Sequence, residues 1–274
     1  MLVLELGYLL GCLAATPETF AASRLQWKIL QPGVEYAVLE APRDQSLPID
    51  GQIHLVRIDP AQAPLEVAMA GAGDGRSRTA AEWCHEHQLA IAINMGMYRD
   101  DKRTNSGYAR APGYVNNPRW AAKYKSAIAF GAIKAGAPAV RMADLDEPGA
   151  KEHLSEYTTV VQNLRLIRAE GRGVWAQQER RWSEAAVALD REHRVLFVFS
   201  RYPHSMKALN DILLSLPLGI TNAMHVEGGP EASLSIHVGG VNLDLNGSYE
   251  TGFNENDGER HQWPIPNVLG VHRR

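Results

Sequence analysis

The sequence predicts an α+β (mixed α/β) fold: a single domain with a mixed, mainly antiparallel sheet flanked by helices. Three observations carry this. Short runs of branched and aromatic residues bounded by Pro, Gly or Asp recur along the 274 residues, the pattern strands leave in sequence. Two stretches instead carry helix signals, one a capping box and the other apolar residues at helical spacing. The two kinds follow one another without regular β-α-β alternation, which argues against a doubly wound sheet.

The elements follow in order. Residues 34–39, 52–58 and 65–69 read as strands. Residues 79–88 read as a helix, because Thr79 and Glu82 stand at capping-box spacing and would satisfy two free amides at its start. Residues 89–93 form an apolar run, a buried strand that delivers Asn94 at its end. The polar stretch 99–120, rich in Gly, Asn and Pro, is a long excursion, and such loops in compact domains often carry function. Residues 185–189 and 194–200 are two strands joined by a turn at Asp190–Arg191–Glu192–His193. In 205–216, Met206, Leu209, Leu213 and Leu216 recur at helical spacing and Pro217 stops the helix. Strands at 222–226 and 232–238 enclose a glycine turn. Residues 249–274 carry no clear pattern, although 247–253 could close over a site.

Composition excludes several classes. A net charge of −3 gives no basic field for general nucleic-acid binding, and the pairs Arg180–Arg181 and Arg273–Arg274 read as solvated surface. The two cysteines, Cys12 and Cys84, cannot build a disulfide framework or a cysteine-only zinc site. Cys84 reads as a small buried hydrophobe. Residues 1–15 are nearly all apolar, as in a secretory signal, and Leu9–Leu10–Gly11–Cys12 resembles a lipoprotein processing box. Residues 1–22 are therefore expected to be an export segment and 23–274 the folded domain, with exported, periplasmic or cell-envelope localisation and membrane attachment only through a lipid at Cys12. Glu5 and the lack of any Lys or Arg before Arg24 leave an ordinary N-terminal strand as the other reading.

Three segments could carry chemistry. In 222–235 a strand runs into Glu227–Gly228–Gly229–Pro230–Glu231 and another leaves it. Two glycines after a carboxylate permit positive φ or close backbone approach, and consecutive amides can cup an anion. His225 and Glu227, two apart on a strand, share a face. The plain alternative is a hairpin turn with exposed carboxylates. In 92–98, Asn94 ends an apolar strand with Gly96 two residues on, so its amide can enter a cleft or make an Asx turn. Glu184 stands just before an apolar strand, where a carboxylate is costly unless paired or functional.

Taken together and in this order, these pieces resemble the phosphodiester glycosidase family, in a divergent branch. Asn94–Met95–Gly96–Met97–Tyr98 matches its Asn-Gly-Gly-Phe-Phe strand end, and Asn105–Ser106–Gly107–Tyr108 its glycine segment. Residues 161–167, with Arg165, match a third strand. Glu184–Ala185–Ala186–Val187–Ala188 falls on its Arg-Thr-Ala-Ile-Gly strand, and Val226–Glu227–Gly228–Gly229–Pro230–Glu231 on its Leu-Asp-Gly-Gly-Gly-Ser turn. The resemblance spans about residues 50–240. Three positions depart: Glu184 replaces an Arg, Glu227 an Asp and Glu231 a Ser. A carboxylate in place of a cation reverses the local field.

The resemblance implies hydrolysis of a sugar-1-phosphodiester, or a related cell-envelope glycan, without a cofactor or metal. A phosphate leaves readily, so the site chiefly needs a carboxylate as nucleophile or base. Glu227 is the first candidate, with Glu184 and Glu231 as partners. Asn94, Gly96, Gly107, Arg165, His225, Gly228 and Gly229 would bind substrate: Asn94 would hold a sugar hydroxyl, the Gly228 and Gly229 amides the leaving oxygen or phosphate, and Arg165 or Arg168 would replace the missing cation. Tyr98, Tyr108, Trp120 and Trp182 are the aromatic candidates for sugar faces. Two other readings stay open: an envelope protein that binds glycan without turnover, and a divalent-metal hydrolase using the acids with His225.

Overall fold

The strand Trp182–Asp190 sorts its side chains two ways, as alternation requires. Ala185, Val187 and Leu189 enter one apolar cluster and Ala186 and Ala188 another. The computed structural model describes residues 25–43, 47 and 49–274, so the expected export segment and Cys12 lie outside the described residues. Among those residues there is a 12-stranded sheet and a five-stranded sheet. The first cluster lies between them, where Val56, Phe197, Met224 and Val226 of the large sheet meet Ile91, Ile93, Leu234 and Leu269 of the small one. The second lies on the far face of the large sheet, against Met206, Leu209 and Leu213.

The predicted strands form close to their expected bounds. Gln52–Ile58 and Leu65–Met69 match the sequence reading, and Leu89–Asn94 ends on the expected asparagine. The helix Ala80–Glu86 starts from a complete capping box: the Thr79 side chain accepts from the Glu82 amide, and the Glu82 carboxylate accepts from the Thr79 amide. Its Trp83 and Cys84 pack on the outer face of the small sheet with Ala68, Ala92 and Val268. Burial there pushes the free Cys84 thiol up to about 12. Ser205 caps the second predicted helix, Met206–Ser215, accepting from the Ala208 amide at 3.2 Å.

The expected mixed sheet is corrected in one respect: every pairing among the described strands is antiparallel. The α-helices, of 7, 5 and 10 residues, make the molecule richer in β-structure than a balanced α+β fold. The connections explain this. Helix Met206–Ser215 links Val195–His204 to Ile220–Gly228, but Trp182–Asp190 lies between those strands and runs against both. Helix Ala80–Glu86 links Leu65–Met69 to Leu89–Asn94, and Asn267–His272 lies between them in the same way. Each β-α-β crossover is thus split by an inserted antiparallel strand.

The polar excursion 99–120 is held rather than free. It carries the short strands Ala109–Ala111 and Tyr114–Asn117. Buried Gln162 accepts from the Tyr108 and Ala121 amides and donates to the Ala121 and Tyr124 carbonyls. One amide side chain satisfies four loop groups that would otherwise be buried without partners.

Candidate active site

The strand Ile220–Gly228 follows the same two-sided rule. Met224 and Val226 point into the core between the sheets, and Ala223 points to the helix side. His225 and Glu227 leave toward the helix side, where both line a cleft with Met206 and Leu164. Between the pairs Ala186↔His225 and Ala185↔Glu227 the register slips by one residue, a β-bulge at Val226. Bulges re-aim side chains beside a ladder.

The turn then depends on its glycines. A Cβ on Gly228 would lie 3.0 Å from the Trp182 Cβ and 3.1 Å from the Ser183 carbonyl oxygen. Gly229 has φ of +63°, and a Cβ there would lie 2.7 Å from a Glu250 carboxylate oxygen. A single 3-10 turn, Gly229–Glu231, with Pro230 inside it, leads to Ser233–Val238. The Gly228 amide, expected to hold a leaving oxygen, instead donates to the Glu227 carboxylate at 3.2 Å. The turn organises an acid rather than offering both amides to an anion.

Three carboxyls meet at the turn. Removal from water, and then repulsion from Glu231, hold the Glu227 carboxyl well above the ordinary carboxylate range; Glu250 and Glu184 add to the rise and the Gly228 amide opposes it. Burial also raises Glu231, with Glu250 adding and Lys102 opposing. The phenols of Tyr98 and Tyr124 are raised mainly by burial, and both also lie in the field of Glu227. Like charges packed together oppose one another's ionisation, so burial and repulsion both favour the protonated forms of Glu227 and Glu231.

Glu184 occupies a second layer. It is fully buried, and its Oε2 lies 2.7 Å from Nδ1 of His225. Burial raises its carboxyl and His225 opposes the rise. Its Oε1 has no hydrogen-bond partner. The costly carboxylate of the sequence reading is therefore paired, through a histidine that reaches the cleft.

The walls come from segments the motifs did not mark. Residues between Arg172–Gly173 and Trp182–Asp190 bring Trp175, Gln178 and Arg180 over the cleft, and Glu250 closes its far side. The cleft measures about 300 Å³. Trp175 is fixed by its indole N–H, which donates to the Arg165 carbonyl at 3.0 Å. The Arg180 guanidinium stacks on Trp182, 5.5 Å from the ring, and makes no ion pair among the described residues. Arg180 is exposed, as its sequence suggested, but it also lines the cleft. Only its position between two indole-bearing segments could have marked it. Glu250 had a faint signal, in the Gly247–Phe253 stretch expected to close over the site.

Other expected residues lie elsewhere. Arg165 is committed to Asp144 and Asp146 at 2.6 and 2.8 Å and does not line the cleft, and Arg168 faces Asp144. The buried carboxylate of Asp144 and the exposed one of Asp146 hold the Arg165 guanidinium away from the turn. Asn94 is buried; its Oδ1 accepts from the Ser233 amide at 2.9 Å, so it pins the exit of the turn rather than facing the cleft. Gly96, with φ of +86°, packs on Asn105, and Gly107 packs on Gln162 and Tyr124. Both shape the loop behind the site. Tyr108 and Trp120 stack on each other at 4.4 Å, with Lys151 over Trp120, and so are engaged together rather than in the cleft. Among the described residues no group of three His, Cys, Asp or Glu side chains could hold a metal ion, so the metal-dependent reading finds no ligand set there. No helix among them is long and apolar enough to cross a membrane.

The fold has counterparts among solved structures. The solved catalytic domain of zebrafish N-acetylglucosamine-1-phosphodiester alpha-N-acetylglucosaminidase, auto-inhibited by its pro-peptide, is similar with a TM-score of 0.63 and 15% identity, over 89% of this chain and 85% of that one. A hypothetical protein from Synechocystis is similar with a TM-score of 0.61 and 14% identity, over 90% of this chain and 64% of that one. At such identities the likeness is one of fold. No curated protein sequence matches. The family model described as phosphodiester glycosidase matches residues 87–272, a span that holds Glu184, His225, Glu227, Glu231 and Glu250 together with the central strand of the small sheet. The chain belongs to the phosphodiester glycosidase family.

Proposed function

We propose that the protein hydrolyses a sugar-1-phosphodiester or a related cell-envelope glycan, with Glu227 as the acid at the reacting bond. The observation that carries this is the Glu227 carboxyl, which lines the cleft with Glu250 and is raised by burial and by the neighbouring Glu231. Three ionised carboxylates would repel a phosphodiester anion, whereas a cluster that retains protons admits one. Trp175 and Trp182 supply flat apolar surface for a sugar ring, and Arg180 is the cation at the cleft, in place of Arg165. A protonated Glu227 suits a general acid better than the nucleophile or base expected from sequence. Export to the envelope belongs to the same proposal and rests on the apolar residues 1–15 with the Leu9–Cys12 box.

The test is release of free sugar from a panel of sugar-1-phosphodiesters, by wild type and Glu227→Gln. Turnover by wild type, lost in a folded Glu227→Gln, is the expected result; undiminished turnover in the variant would sink the assignment of Glu227. The second reading, glycan binding without turnover, is favoured by the carboxylate of Glu184 where the family pattern has a cation. It predicts saturable binding and no release by either protein.

A further inference from the structure

Glu184 and His225 make a pair that the acid cluster does not use. The two strands that carry them are neighbours: His225 pairs with Ala186, and Glu184, two residues from Ala186, falls on the same helix-side face. Glu184 is 0% exposed and reaches the cleft only through the imidazole. His225 lines the cleft itself. Its Nδ1 is taken by Glu184, and Nε2 makes no hydrogen bond among the described residues. The titratable and polar groups that line the cleft with His225 are the carboxyls of Glu227 and Glu250 and, from the overlying loop, Arg180 and Gln178; the rest of the wall is largely apolar, with Leu164, Met206 and the two indoles.

We infer that Glu184 and His225 form a carboxylate–imidazole dyad in which Glu184 holds the ring with its proton on Nδ1, so that Nε2 accepts a proton from the attacking water. The inference rests on the proposed hydrolysis and names its base. A buried carboxylate beside Nδ1 favours the tautomer with hydrogen there, and the other nitrogen then presents a lone pair. Burial and the neighbouring Glu231 favour the protonated form of Glu227, and Nε2 lies on the cleft wall without a hydrogen-bond partner among the described residues, at the ring that Glu184 holds in place. His225 is then a catalytic residue and Glu184 a positioning residue.

The proton balance closes. Water attacks the anomeric carbon and gives one proton to Nε2 as the new C–O bond forms. The bond from that carbon to the phosphoryl oxygen breaks, its electron pair stays on the leaving oxygen, and Glu227 supplies the proton there. The products are the free sugar and a phosphate monoester. Loss of the Nε2 proton to solvent and uptake of one by Glu227 restore the resting state.

His225→Asn tests this, because the Asn side chain keeps a donor at the Nδ1 position while Nε2 is removed. It should fold, bind substrate with KM within about threefold, and lose kcat by about 100-fold or more, the usual range for a general base. His225→Ala should be rescued by added imidazole in a dose-dependent way, a response that a merely structural histidine does not give. Glu184→Gln, nearly isosteric, should lower kcat with little change in KM. A second readout needs no substrate: long-range 1H–15N spectra of the resting protein should show the His225 proton on Nδ1, and the tautomers should mix in Glu184→Gln. A ring protonated on Nε2 in wild type overturns the dyad, as does wild-type kcat in His225→Asn. A wild type inert to every sugar phosphodiester removes the proposed reaction and the base role with it, whereas activity that survives His225→Asn removes the dyad alone.

Discussion

The Glu250 carboxylate closes against Gly229, with one oxygen 2.7 Å from where a Cβ on that glycine would stand. Gly229→Ala would set a methyl into this contact and a side chain at φ of +63°, a conformation that costs about 1 kcal/mol for alanine. The expected outcome is a modest loss of stability by urea titration and a loss of kcat of about tenfold or more, because Glu250 swings away and the turn that carries Glu227 shifts. An unchanged kcat would remove Glu250 from the site.

The acid cluster makes a prediction about stability with a definite sign. The Glu227 carboxyl is raised in the folded chain relative to its ordinary 4.5. The folded state therefore prefers the protonated form. The contribution is fully present below about pH 4.5 and is lost as pH rises through the raised folded value. Glu227→Gln mimics the protonated carboxyl, so it should raise the melting temperature at pH 7.5 and have little effect at pH 4. Each kcal/mol corresponds to about 2–4 °C in a chain of this size. Calorimetry at the two pH values checks it. For the same reason, wild-type activity should fall on the alkaline side as Glu227 and Glu231 ionise.

Arg180 should matter only for an anionic substrate. Arg180→Ala is expected to raise KM for a sugar-1-phosphodiester by about five- to tenfold at low salt, and less at high salt, where exposed charges are screened. A neutral aryl glycoside, if turned over, should be unaffected. Equal effects on both substrates would reassign Arg180 to packing on Trp182.

Gln162 ties the excursion 99–120 and the segment just after it to the sheet through four hydrogen bonds, one to Tyr108 and three to Ala121 and Tyr124. Gln162→Ala leaves two amides and two carbonyls without that partner and should cost about 3 kcal/mol, given about 1–3 kcal/mol for each buried group left unsatisfied and partial relaxation of the loop. Urea unfolding reads the loss. Limited proteolysis should cut within 99–120 before it cuts elsewhere.

What was legible in the sequence was the part written in local patterns. The Thr79–Glu82 box, the apolar strand before Asn94 and the helix after Ser205 each follow from neighbours in the chain, and each forms as expected. Glu227 beside Gly228 and Gly229 was legible for the same reason. The partners were not. Glu184 and His225 are 41 residues apart, and only the strand order brings them together. Arg165 looked available because Asp144 lies 21 residues before it, beyond the reach of any periodicity argument. Arg180 and Glu250 sit in segments without regular structure, where no repeat fixes which way a side chain points. Strand pairing was misjudged for a related reason: a helix between two strands suggests a parallel pair, and nothing local announces that a third strand will enter between them.

That insertion bears on how the chain is assembled. Asn267–His272 comes after every other described strand in the chain, yet it fills the gap between two much earlier ones, Leu65–Met69 and Leu89–Asn94. On a ribosome, which delivers the N-terminal part first, those two strands must wait with open edges for a partner that is translated roughly 170 residues later, and open edges invite pairing with other chains. The small sheet, and with it the anchoring of Asn94 behind the glycine turn, is therefore completed only once residues 267–272 are made, so that loss of this late strand would be felt far back in the sequence from where it occurs.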